Sequence, residues 1–329
     1  MVRIHLRPPM TKVWTARTNN KERLDLCLAR RYTLTRAQAQ KLIREGLVLV
    51  NGARPKKNGE QVGSEDTIEI KESDARKEKE KSRQKKEKLF FAVEVVAETK
   101  EYLVINKPAG MLAHPTMANE TGTVTDWLMA RAGSISNVGQ SDRPGLVHRL
   151  DKEASGLMVV AKNKEMYENL KRQFQSRTVE KEYEVLVYGK VRAEHDNIIF
   201  AIDRGAAGRM AARPQTNMLR VETAAKAQAG KEARTEFFVE KRFGRFTLLR
   251  VRIHTGRTHQ IRVHMFAYGH PVVGDTLYVQ KNLIKQREKD FHRLFLHAAR
   301  LAFTDARGER VRYEAALPKE LRQFLSGLN

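Results

Sequence analysis

Three segments of this 329-residue chain collect side chains able to act on a substrate: His148-Arg149-Leu150-Asp151, Tyr183 within Lys181-Glu182-Tyr183, and Arg257-Thr258-His259-Gln260-Ile261-Arg262. The first sits in Gly145-Leu146-Val147-His148-Arg149-Leu150-Asp151 and continues through Ser155-Gly156-Leu157 into an apolar run, 158–161. A buried strand so close behind would fix the backbone of Asp151, and Gly156 would let a substrate or another backbone approach. That is how a reactive carboxylate is held beside a cation. Taken alone, the string serves equally well as a polar turn before a core strand.

These segments need elements to position them. Tyr102 to Ile105 reads as a strand that ends in the turn Asn106-Lys107-Pro108-Ala109-Gly110. Met166, Leu170 and Phe174 recur every four residues, which predicts an amphipathic helix over 163–176 with Asn163 as its cap. From Lys181 to Gly189, Tyr183, Val185 and Val187 alternate with Glu182 and Glu184, the pattern of a strand with one buried face. Phe246 to His254 alternates in the same way. It gives way to a turn at 255–258 and a helix through Tyr268 that Gly269 stops. Strands interspersed with helices and no regular βαβ rhythm predict an α+β domain over residues 89–329.

The N-terminal part has a different texture. Residues 1–20 are basic and without period, the pattern of a loose arm. Leu24 and Leu28 then share a helical face, and Thr35 can cap a second helix with Ala39, Leu42 and Ile43 inside and Gly46 at its end. Arg36, Gln40 and Arg44, with Lys41 beside them, give that helix a basic face. Short strands are predicted at 47–50 and 67–70, with a turn at Asn51-Gly52. In this order of helix, helix, EGLVLVNG and DTIEI, residues 21–70 resemble the S4 RNA-binding module. The resemblance implies that Arg23, Arg36, Lys41, Arg44 and Asn51 face RNA. Residues 71–88 are almost all charged or polar, the composition of a linker.

Lys and Arg number 62 against 39 Asp and Glu, a formal charge of +23, which points to a polyanionic partner. No stretch approaches the ~18 to 20 consecutive apolar residues of a membrane span, and residues 1–10 lack an apolar signal core. The single cysteine, Cys27, can form no internal disulfide. A cytoplasmic, monomeric protein is the expectation.

In their order, the three chemistry-bearing segments resemble the RluA-type family of RNA pseudouridine synthases. So do the Lys107-Pro108-Ala109-Gly110 turn, the Gly230-Lys231-Glu232-Ala233 and Thr235 stretch, and Gly274-Asp275 with Tyr278. The resemblance implies an α+β catalytic domain with a mixed, largely antiparallel sheet and flanking helices. It implies an isomerase that breaks the N1 to ribose bond of uridine, turns the base and rejoins it through C5. No atom is gained or lost, so neither cofactor nor metal is expected. By the same resemblance Asp151 acts at the ribose and Arg262 pairs with it, where a guanidinium can engage both carboxylate oxygens. Tyr183 packs its ring against the base and its hydroxyl assists the proton loss from C5, and Arg149 enters the vacancy left by a flipped nucleotide. His148 is left between phosphate contact and loop support. Arg257, His259 and Gln260 are expected to contact RNA.

One position departs from the family pattern. Ala154 stands where the family commonly has Thr, which puts one hydrogen bond near Asp151 in doubt. His254, His259 and His264 are spaced wrongly for a metal and have no thiol or carboxylate cluster nearby. Ribosomal RNA of the large subunit is the expected substrate. Transfer RNA as substrate, or a noncatalytic RNA-binding assembly factor, are the alternatives.

Overall fold

The computed structural model describes residues 12–15, 21–32, 34–70, 90, 92–116, 120–131, 135, 137–205, 209–213, 230–279, 281–284 and 291–328. The predicted linker, 71–88, lies outside these residues, as do the arm residues 1–11 and 16–20. Backbone contacts divide the chain into two compact units, Met1–Lys85 and Lys86–Asn329.

The first unit runs β1 (Lys12–Thr15), β2 (Glu22–Arg23), α1 (Leu24–Tyr32), α2 (Arg36–Arg44), β3 (Val48–Val50), β4 (Gln61–Val62) and β5 (Thr67–Ile70). Thr35 starts α2 through a capping box: its hydroxyl accepts from the Gln38 N–H while the Gln38 side chain accepts from the Thr35 N–H. Leu24, Leu28, Ala39, Ile43, Val48, Val50, Val62 and Ile68 form the core. Leu42, expected inside, is only half-buried. The arm is not loose throughout, because β1 pairs antiparallel with β5, whose other edge holds β3. Four residues carry too little side-chain period to be read as a strand; the backbone ladder defines it.

The second unit opens with β6 (Glu94–Glu98), β7 (Tyr102–Lys107), α3 (Val124–Arg131), β8 (Gly139–Gln140), β9 (Arg143–Pro144) and β10 (Ser155–Ala161). It continues with α4 (Lys164–Gln175), β11 (Glu180–Tyr188), β12 (His195–Ile198), β13 (Ala201–Arg204), β14 (Met210–Arg213) and β15 (Thr235–Arg242). β16 (Phe246–Ile253), α5 (Gln260–Ala267), β17 (Leu296–Thr304), β18 (Arg310–Glu314) and α6 (Lys319–Ser326) complete it. Asn163 caps α4 as predicted, its side chain accepting from the Met166 N–H.

A nine-stranded sheet orders these strands β12-β15-β16-β11-β17-β10-β7-β6, with β18 also paired to β17. Only β10 and β17 run parallel, over Ser155↔His297 and Gly156↔Ala298; every other pair of the sheet is antiparallel. Residues directly opposite one another share a face. One row therefore crosses six strands as Lys107, Gly156, Ala298, Tyr183, Val251 and Phe237. Its two smallest side chains stand between Lys107 and Tyr183. Gly156 is obligatory: its φ is +120°, and an added Cβ would lie 2.3 Å from the Ala298 carbonyl oxygen. The close approach expected at Gly156 is thus by another backbone.

β11 departs from its predicted single buried face. The side of Glu182 and Glu184 is polar only over its first half, where Glu182 meets Arg250, Arg252 and Arg300. Leu186 and Tyr188, on that same side, are buried with Phe246, Phe295 and Leu321 of α6. Each such large apolar side chain contributes about 1.5–3 kcal/mol on burial.

Candidate active site

The segment before Asp151 is laid against β10. Leu146 bridges Val160, the Ala161 N–H donates to the Gly145 carbonyl, and the Val159 N–H donates to His148 Nε2 at 3.0 Å. His148 also stacks on Phe174, ring centroids 4.7 Å apart. Burial, and then the charge of Lys181, push His148 down to about 3, which keeps Nε2 free to accept. Of the two roles left open for His148, its geometry is that of loop support.

Behind the loop stands Lys107, fully buried. Its Nζ lies 2.7 Å from the Ala154 carbonyl oxygen, 2.8 Å from that of Met111, 3.0 Å from that of Pro108 and 3.4 Å from that of Lys152. Burial pushes Lys107 down to about 7 against the upward pull of Asp151 and Glu153. The ammonium ties the 151–154 loop to the turn after β7, so the missing hydroxyl at Ala154 does not leave the loop unanchored. Ala154 itself is buried.

Asp151 emerges from this loop with its side chain 15% exposed, and Arg262 faces it from α5 with 1% exposed. The guanidinium fork does not go to Asp151. It goes to Asp275, with Nε 2.7 Å from Oδ2 and Nη2 2.8 Å from Oδ1. Nη1 alone is left for the site, 3.5 Å from Asp151 Oδ2 and 3.7 Å from Glu153 Oε2, buried and without a hydrogen-bond partner. Burial works against the Arg262 charge, but Asp275 first, then Asp151 and Glu153, raise it above its ordinary value. The Tyr278 ring lies 5.3 Å from the guanidinium carbon.

Tyr183 is buried in the sheet row described above, and the β11–β17 register slips at Glu182/Tyr183. Such irregularities re-aim side chains. Burial and then the Asp151 charge push the Tyr183 phenol far up, so it stays protonated. Arg149 is exposed and makes no hydrogen bond or ion pair with a described residue.

The segment before α5 is mostly turned inward. Gln260 is buried: its oxygen accepts from the Thr255 hydroxyl and the Arg257 N–H, and its nitrogen donates to the Arg234 carbonyl and Thr235 hydroxyl. Nothing of its amide is left for RNA. His259, at φ +54°, meets the Tyr278 hydroxyl through Nδ1 at 3.0 Å, and burial lowers its pKa. Arg257 donates through Nε to the Glu232 carbonyl. His254 bonds Glu236, and His264 bonds Thr235 and the Phe200 carbonyl. Among the described residues no group of three or more His, Cys, Asp or Glu is placed to hold a metal.

In the first unit the expected RNA-facing residues divide. Arg23 forks onto Asp25, and Arg36 and Gln40 bind the same carboxylate. Asn51 is tied to Asp66 and the Thr67 N–H. Lys41 lies 3.8 Å from Glu45, and Arg44 is exposed with no ion pair to a described residue. The sequence reading gave no role to Lys107 or Asp275. A lysine closing the apolar strand Tyr102–Lys107 is the signal available for the first; the second had only its place after Gly274.

A family model described as RNA pseudouridylate synthase matches residues 101–267, and one described as S4 domain matches residues 22–68. An uncharacterized RNA pseudouridine synthase of Bacillus subtilis is 35% identical over 310 residues, 93% of this chain and 94% of that protein. The ribosomal large subunit pseudouridine synthase D of Pseudomonas aeruginosa is 37% identical over 243 residues, 71% of each. Among solved structures, human RNA pseudouridylate synthase domain containing 1 aligns with a TM-score of 0.54 at 26% identity, covering 69% of this chain and 84% of that one. No described helix is long and apolar enough to cross a membrane. With an S4 domain at 22–68 and a mixed, mainly antiparallel sheet carrying the matched residues, the chain belongs to the RNA pseudouridylate synthase family and is an RNA-binding isomerase.

Proposed function

We propose that this enzyme converts uridines of large-subunit ribosomal RNA to pseudouridine, with Asp151 as the group that acts at the ribose. The observation that carries the assignment is a partly exposed carboxylate opposed by a single buried, otherwise unbonded guanidinium N–H edge, 3.5 Å away. Asp151 attacks C1′ of the ribose as the N1 to C1′ bond breaks. The freed uracil turns, C5 bonds to C1′ as the Asp151 to C1′ bond breaks and the carboxylate is restored, and the C5 proton is lost while N1 gains one. Arg262 keeps the carboxylate aimed in a site sheltered from water.

Tyr183 supplies a ring against the base and a hydroxyl that stays protonated. It is therefore a hydrogen-bond donor, and its hydroxyl assists the loss of the C5 proton. A uridine in a helix must leave the stack at a cost of a few kcal/mol. Arg149, exposed and uncommitted, fills the gap. The preference for ribosomal RNA is supported by the name of the Pseudomonas relative, the S4 domain and the charge of +23.

Incubating wild type and Asp151→Ala with ribosomal and transfer RNA transcripts, then mapping pseudouridine by carbodiimide-dependent primer stops, tests both parts. Modification of large-subunit RNA by wild type alone is expected. Product from Asp151→Ala would remove Asp151 from the chemistry, and product on transfer RNA only would move the substrate.

A further inference from the structure

The Arg262 guanidinium has more binding capacity than Asp151 receives. Its fork, the geometry best matched to a carboxylate, is spent 2.7 and 2.8 Å away on Asp275. Asp275 is itself immobilised: it is buried, and Oδ1 also accepts from the N–H groups of Leu277 at 2.8 Å and Tyr278 at 3.0 Å. The preceding Gly274 has φ +76°, and a Cβ there would lie 1.8 Å from the Arg293 carbonyl oxygen, so the turn carrying Asp275 is pressed onto the backbone before β17. From below, Tyr278 covers the guanidinium. Arg262 can present only Nη1 to the site.

We infer that Asp275 is a positioning residue for the reaction: by occupying the fork of Arg262 it prevents a bidentate Arg262–Asp151 pair and leaves one Asp151 oxygen free for the ribose. This rests on the reading of Asp151 as the reacting carboxylate. A carboxylate locked in a fork is held in the plane of the guanidinium with both oxygens engaged, and it must give up a charge-assisted hydrogen bond to react. A carboxylate touched by one edge at 3.5 Å is aimed without that loss. An inner carboxylate that takes the whole fork, with Asp151 and Glu153 left to share the remaining edge at 3.5 and 3.7 Å, is the arrangement this requires.

Replacing Asp275 by Asn frees the fork to close on Asp151 and engage both of its oxygens. Capture of Asp151 in the ground state lowers kcat and leaves KM in place, because Asp275 does not touch RNA, whereas a purely structural loss would loosen the site and move both.

Single-turnover and steady-state kinetics of full-length wild type, Asp275→Asn and Asp275→Glu on an RNA that wild type modifies test this, with Asp151→Asn alongside. For Asp275→Asn the expectation is kcat lower by about 100-fold and KM within about twofold because Asp275 does not touch RNA. Asp275→Glu keeps the charge but cannot hold both the fork and the turn; its kcat falls at least about tenfold, with KM again within about twofold. A KM raised in step with the fall in kcat for Asp275→Asn, or wild-type kcat in either variant, overturns the inference. Should Asp275→Asn not fold, Asp275→Glu decides by the same criteria. Turnover by Asp151→Asn would instead overturn the nucleophile reading, whatever the Asp275 variants do.

Discussion

Asp25 in the first unit and Asp151 in the second are both carboxylates met by arginine, and they are built to opposite ends. Asp25 is wholly buried at its side chain and accepts four hydrogen bonds at or below 3.0 Å: two from Arg23, one from Arg36 and one from Gln40. The Arg23 hydrogen bond first, with those of Gln40 and Arg36, holds its carboxyl far below the usual carboxylate range. Asp151 has one cation edge at 3.5 Å and some exposure. Saturation makes a carboxylate a structural joint, and deliberate under-saturation leaves one able to react.

The comparison breaks most visibly if Asp25 is removed. Asp25→Ala strands Arg23, Arg36 and Gln40, and should destabilise the first unit by about 2–4 kcal/mol, seen as faster amide exchange in α1 and α2 of the full chain. Asp151→Asn should leave exchange throughout the second unit unchanged. The Asp25 contribution also has a sign in pH. Its folded value lies below the unfolded value of about 3.9, so the stabilisation is complete above that pH and disappears as pH falls below it. A first unit whose exchange is insensitive to acid would contradict the joint.

A smaller effect distinguishes the support of Asp151 from Asp151 itself. His148 is held neutral, about 3 in the folded chain against roughly 6.5 unfolded. The unfolded state binds the extra proton between these values, so His148's stabilisation is intact above about pH 6.5 and drains away as pH falls toward 3. His148→Gln, which can still accept from the Val159 N–H, should flatten the denaturation midpoint of the second unit across that window while keeping activity near pH 7. An equally steep profile in the variant would locate the titrating group elsewhere.

The smallest effects concern the arginines themselves. Arg36 is half-committed to Asp25, whereas Arg44 is exposed without an ion pair to a described residue. Arg44→Ala should reduce the salt dependence of RNA affinity by about one unit of slope. Arg36→Ala should do less to that slope and cost up to about 1 kcal/mol of stability. Equal slopes for the two would show that binding Asp25 does not withdraw Arg36 from RNA.

Much of the scaffold was legible because it is local. Asn163 and Thr35 cap helices through residues three positions on, and the alternation around Tyr183 needs only neighbours. What was not legible is made by partners distant in the chain. Arg262 chooses Asp275 over Asp151 because a turn thirteen residues later presents a fixed carboxylate. Gln260 was expected at RNA but is consumed by Arg234 and Thr235, more than twenty residues earlier. Leu186 and Tyr188 break the one-faced pattern of β11 because α6, at the other end of the unit, covers them.

The two-residue parallel ladder between β10 and β17 also governs when the enzyme comes into being. Ser155↔His297 and Gly156↔Ala298 join segments separated by some 140 residues, and Ser155 Oγ and His297 Nδ1 meet at 2.8 Å. Such non-local pairing forms late in folding, after the entropy of closing the intervening chain has been overcome. A nascent chain still short of β17 has Asp151, Tyr183 and Arg262 but no strand to set the first two side by side. Chemistry therefore waits until β17 has been made and paired, long after the residues of the S4 domain at 22–68 have been synthesised.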